Sequence, residues 1–236
     1  MLRRLLLAVI GGSPARMLAQ AGLACALLLA VATAFAGEPG QLQVGRLVYG
    51  DNQSSVCFAE AFLADAAEST SLRPAPTLTP VASDSDDLYA HPLIVMSGQE
   101  AFTLDAAERT NLRRYLDAGG FLLASAGCSS PAWNDSFSVA LEGIFPGAPD
   151  ELITLPADHP AYHLVYDVSH SSYRRGGARL PELRALRRGG RIVLIWSPDG
   201  LNDSAAASDE CCCCGGNEVG AARQLNVNLL VLALTQ

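Results

Sequence analysis

The chain has 236 residues, half of them hydrophobic, with 16 basic and 24 acidic residues and a net charge of −8. Every basic residue is arginine, so Schiff-base chemistry, a P-loop lysine and a lysine general base are excluded together. The acidic balance also argues against nucleic acid as a partner.

Residues 1–36 carry Arg3, Arg4 and Arg16 but no acidic group. A long apolar run, Ala21 to Phe35, leads into Ala34-Phe35-Ala36 and then Gly37-Glu38-Pro39. This charged, apolar, small-x-small order reads as a secretory signal peptide cleaved near Gly37. The alternative is an uncleaved membrane anchor, because the run almost reaches the length that spans a bilayer. Arg3-Arg4-Leu5-Leu6-Leu7 matches the core of a twin-arginine export signal. Cleavage leaves 13 arginines against 24 carboxylates, a net charge of −11. The expected location is periplasmic or extracellular, the expected partners are other envelope proteins, and the membrane enters only through an uncleaved segment.

Residues 37–236 are long enough for one well-buried domain. Arg46 to Gly50 reads as a short apolar strand, followed by a polar turn and a helix over about Val56 to Ser69. Pro74 to Asp87, rich in Pro and Ser, reads as an irregular or edge strand within a loop. His91 to Met96 is a continuous apolar run of the kind covered on both faces. A helix follows, with Thr103 as cap and Leu112, Tyr115 and Leu116 on one face. Gly119-Gly120 ends it and leads into a second buried strand, Phe121 to Ser125.

Beyond lie a helix near Asp135 to Ile144, a brief strand at Leu152 to Leu155, and a basic, Gly-containing stretch, Arg174 to Arg191, expected as a solvated hairpin or loop. Arg191 to Trp196 reads as a last central strand. Val219 to Leu234 reads as a final helix opened by Gly215-Gly216-Asn217-Glu218, with Asn217 as cap. The alternation predicts an α/β fold in three layers, a mostly parallel sheet with helices on both faces. Ligands on such sheets bind beyond the carboxyl ends of the strands.

Three loops fall at those ends, and the six cysteines after the signal segment lie in or beside them: Cys57, Cys128 and the run Cys211-Cys212-Cys213-Cys214. Thiolates grouped in this way suit zinc or another thiophilic metal. Disulfides are the equal alternative in an exported protein, with 15 possible pairings. A helix start just after the run would lower its thiol pKa values. Cys128 also follows a buried strand with small neighbours, the steric setting of a nucleophile elbow, and His159 in Asp158-His159-Pro160 is its candidate base. The competing reading makes Cys128 a buried packing residue and His159 a turn residue.

Several stretches resemble one bacterial family, domain of unknown function 4159. They are Ser97-Gly98, Phe102-Thr103-Leu104, Glu108-Arg109, Leu112-Arg113-Arg114-Tyr115-Leu116, Gly119-Gly120-Phe121-Leu122-Leu123, Asp158-His159-Pro160, and Cys213-Cys214-Gly215-Gly216-Asn217-Glu218 with Asn226-Val227-Asn228. The resemblance implies a class I glutamine amidotransferase-like fold and sets Cys128 near the nucleophile position. No Glu follows His159-Pro160, and His159 comes soon after Cys128, so glutaminase activity is not expected. The sequence reads as a binding or assembly module with a cysteine-rich site. The alternative is a thiol-dependent hydrolase or transferase using Cys128.

Overall fold

The computed structural model describes residues 40–51, 53–54, 58–173, 177–203 and 219–236. At its centre are parallel strands whose side chains are mostly buried. They are β1 (Val44–Tyr49), β4 (Leu93–Gly98), β5 (Phe121–Ala126) and β8 (Arg191–Ser197), adjacent in that order. The runs of Val, Ile, Leu and Phe in β4, β5 and β8 lack polar alternation because both faces are covered, while β1 keeps Arg46 and Val48 partly exposed on one face. A two-residue strand, β2 (Gln53–Ser54), pairs antiparallel with the end of β1. At the other end of the sheet, β7 (Arg184–Arg188) runs antiparallel to β8, and β6 (Ile153–Thr154) pairs with β7.

The Pro-rich segment supplies the edge strand expected of it. Within it β3 (Thr79–Ala82) pairs parallel with β1, so Gly45 and Arg46 carry β3 on one side and β4 on the other. Proline is tolerated because β3 is an outer strand. The stretch expected as a solvated hairpin or loop enters the sheet as β7, which turns through Gly189-Gly190 into β8 as a hairpin and is buried at its centre rather than solvated. Its apolar Ala185 and Leu186 are fully buried, while Arg184 lies over the Trp196 ring and Arg188 over Phe145. Arginine stems can cover apolar surface in this way while their heads reach water.

Four of the helices sandwich the sheet. On one face, α1 (Ala61–Ser69) and the last helix, α5 (Ala222–Thr235), share a core with Val44, Leu93, Val95, Leu123 and Ile195. On the other, α2 (Ala106–Asp117) and α3 (Pro131–Ile144) cover Leu47, Ile94, Met96, Leu122 and Leu194. In α3, Trp133, Phe137, Leu141 and Ile144 recur at helical spacing and are buried, each contributing roughly 2 kcal/mol. A single turn, α4 (Ala148–Glu151), follows.

Helix caps differ from expectation at two places. Asp105, not Thr103, caps α2: it accepts the Glu108 N–H, and Glu108 reaches back to the Asp105 N–H. That reciprocal box satisfies two amides that would otherwise lack partners. The final helix begins at Ala222 with Ala221 at the cap position, so Asn217, outside the described residues, does not cap it.

Connectivity reverses between β1 and β4. The chain leaves β1 through α1 on one face and returns as β3, whereas it leaves β4 through α2 on the other face and returns as β5. The carboxyl ends of β1 and β4 thus flank a topological switch point, where the loops part and leave a crevice. Among the described residues, no helix is long and apolar enough to cross a membrane.

Candidate functional site

Three serines stand in register at the carboxyl ends of the central strands: Ser97 on β4, Ser125 on β5 and Ser197 on β8. Strand alternation turns all three toward the α1 and α5 face, and each is at most 1% exposed. Buried hydroxyls need partners, and two of them have one. Ser125 Oγ accepts the Leu201 N–H at 2.8 Å, and Ser197 Oγ accepts the Gly200 N–H at 3.2 Å. These bonds draw the loop after β8 across the sheet edge. Gly200 is required there, because at φ +87° a Cβ would lie 2.1 Å from Ala126 O.

Ser97 Oγ is different: it is buried and has no hydrogen-bond partner among the described residues. A second orphan lies close to the same row. On α5, Asn226 Nδ2 donates to Leu201 O at 2.9 Å, but its Oδ1 accepts nothing, and the residue is 1% exposed.

Cys128 lies just beyond Ser125, where β5 turns toward α3. Cys128 and Ser129 both have left-handed backbones, φ 58° and 54°, a costly arrangement for two consecutive residues that are not glycine. Cys128 is disulfide-bonded. Ser129 Oγ donates to Asp199 O at 2.7 Å, tying this turn to the loop after β8. Asp199 in turn accepts from Tyr173 Oη at 2.8 Å and from Arg179 at 2.9 Å, while the guanidinium stacks 3.5 Å from the Tyr173 ring centre. Burial and the adjacent Asp199 carboxylate push the Tyr173 phenol well above its ordinary range, so it remains a donor.

Over β1 and β3 the same edge holds a cavity of about 270 Å³ lined by Gly50, Asp51, Ser83, Asp84, Asp105 and Glu108, among others. Glu108 organises it, accepting from the Gly50 N–H at 2.8 Å, Ser83 Oγ at 2.6 Å and the Asp105 N–H at 2.7 Å. Three donors hold the carboxylate in place and mark it as a structural acceptor. The spacing Asp105-x-x-Glu108 carries this signal in the sequence as a capping box.

His159 precedes the short turn Pro160–Tyr162, which packs in the core under α5. Its Nδ1 accepts the Ala161 N–H at 3.1 Å. Partial burial, then the neighbouring Arg187, lowers its pKa. A neutral ring that accepts through Nδ1 carries its proton on Nε2 and has no spare lone pair for a base. Of the proposed metal ligands, Cys57 and Cys211 to Cys214 lie outside the described residues. Among the described residues, no group of three His, Cys, Asp or Glu side chains could hold a metal ion.

Fold and edge together define an α/β protein in three layers, with a mixed, mostly parallel sheet and a buried polar layer at its carboxyl edge. A family model described as Domain of unknown function (DUF4159) matches residues 43–234, nearly the whole described domain, and the chain belongs to that family. No curated protein matches the chain.

Proposed function

We propose that the chain is an exported envelope protein that works as a binding or assembly module, using the carboxyl edge of its sheet. In this reading residues 1–36 are removed on export and residues 37–236 form one glutamine amidotransferase-like domain. The observation that supports it is the state of Cys128. Its sulfur is committed to a disulfide, and a nucleophile must be a free thiolate. His159, the candidate base, has its accepting nitrogen occupied by Ala161. With both halves of a thiol–imidazole pair engaged elsewhere, the edge is suited to holding a ligand rather than turning one over.

Ammonia release from glutamine tests the reading directly. The expected outcome is none above background, for the wild type and Cys128→Ser alike. Release that disappears in Cys128→Ser would establish the thiol enzyme instead. Export is tested by intact mass in soluble and membrane fractions, with a chain starting near Gly37 expected and a full-length membrane-bound chain contradicting it.

A further inference from the structure

We infer that the carboxyl end of β4, at the switch point beside β1, is the seat of a small uncharged ligand group that donates hydrogen bonds to Asn226 Oδ1 and Ser97 Oγ. The inference rests on the binding-module reading above and names the position and chemistry of the ligand.

Two independent features lead to this place. The first is topological: the chain departs from β1 and β4 over opposite faces, and open α/β sheets bind ligands where that reversal occurs. The second is an imbalance in hydrogen bonding. A buried polar atom without a partner costs about 1–3 kcal/mol, yet Ser97 Oγ and Asn226 Oδ1 both have none. Both adjoin the same structural unit: Ser97 is in register with Ser125, Ser125 Oγ holds Leu201 N–H, and Leu201 O holds Asn226 Nδ2. Residues 198–203, the described start of the loop after β8, thus satisfy the serines of β5 and β8, and Ser97 Oγ on β4 has no partner among the described residues.

The chemistry of the two atoms selects the ligand. The unpartnered atom of Asn226 is its amide oxygen, which only accepts, while one N–H of its Nδ2 donates to Leu201 O. The Ser97 hydroxyl can accept or donate. A carboxylate or phosphate would set its oxygens against Asn226 Oδ1 and leave that acceptor unmatched, which disfavours anions. A cation would need a compensating charge, and the nearby buried carboxylate of Asp203 is paired with Arg223 at 2.5 Å. What remains is a neutral group bearing O–H or N–H donors, such as a polyol hydroxyl or a carboxamide.

The test uses the exported chain with its disulfides intact and two probes, glycerol and acetamide, titrated separately. At a concentration ten times the dissociation constant, the favoured probe is expected to raise the Tm by about 3 °C. It is also expected to move the Leu201 amide signal in a ¹⁵N–¹H spectrum. A response to glycerol alone assigns the hydroxyl source, and a response to acetamide alone assigns the amide. In Ser97→Ala the unliganded Tm is expected to stay level or rise, and the probe-induced shift to fall at least fivefold. Leu201 signals in Asn226→Asp, which keeps an acceptor at the same place, provide a second readout. No response to either probe overturns the inference, as does a shift that survives in Ser97→Ala. A Tm loss in unliganded Ser97→Ala does so too, because the hydroxyl would then already be satisfied by internal water. None of these results depends on Cys128 chemistry, so they separate this inference from the question of turnover.

Discussion

The two halves of the carboxyl edge use their polar atoms in opposite ways. Over β5 and β8, Ser125, Ser197, Ser129 and Asp199 are all bonded, and together they fasten the turn at Cys128 to the loop after β8. Over β4, one strand away, Ser97 Oγ has no partner among the described residues although it is equally buried. Polar atoms that are satisfied internally stabilise a scaffold, and those left unsatisfied are available to something that arrives later. The comparison locates rigidity and recognition side by side on one edge.

The largest effect that would sharpen this contrast is expected from Gly200→Ala. The added Cβ would meet Ala126 O at 2.1 Å on a backbone at φ +87°, so the loop must move and release both serine bonds. A loss of about 3 kcal/mol or more is expected in urea denaturation. A loss under about 1 kcal/mol would show that the loop is not fastened as described.

Next is Glu108→Ala at the far end of the edge. It removes the acceptor for Gly50 N–H, Ser83 Oγ and Asp105 N–H, and a cost of about 2 kcal/mol is expected in the same assay. An effect no larger than that of an exposed substitution would mean these donors find water readily.

Much of the scaffold was legible in the sequence, for physical reasons. Leu93–Gly98 and Phe121–Ala126 lack alternation because both faces are covered, and that pattern survives without any tertiary knowledge. The burial of β7 was not legible. Its arginines suggest a solvated hairpin or loop, and only the rings of Trp196 and Phe145 opposite them explain how a hairpin strand so basic is accommodated in the sheet. The α2 cap was misplaced at Thr103 although Asp105-x-x-Glu108 spells a capping box. At the site, Cys128 was visible as a cysteine after a buried strand. Ser97 was not distinguishable, since its significance lies in a missing partner that depends on where a loop 100 residues later comes to rest.

A pH dependence probes the opposite end of β4. His91 is 5% exposed, and burial lowers its pKa, against smaller raising effects from Gln43 O and Asp87. The unfolded chain takes up the proton near the ordinary imidazole value of about 6.5. The folded chain resists until lower pH, so in that window the unfolded state binds more protons and stability falls as pH drops. Melting temperatures between pH 7.5 and 5 are expected to decline, and to decline less in His91→Asn. A steeper decline in the variant would contradict this assignment.

The smallest effect belongs to Ser97→Ala without ligand. Removing an unpartnered hydroxyl is expected to change stability by less than about 0.5 kcal/mol, or to raise it. Ser125→Ala, which strips the Leu201 N–H of its acceptor, is expected to cost about 1–2 kcal/mol. Equal costs for the two would dissolve the contrast between the halves of the edge.

Cys128 serves as a bridge within the binding edge. Peptide mapping of the exported protein, alkylated under native conditions without reductant, measures that directly. The account predicts that Cys128 remains unalkylated until a reductant is added, and that its peptide is recovered joined to another cysteine-containing peptide. Complete alkylation of Cys128 in the native protein would contradict it.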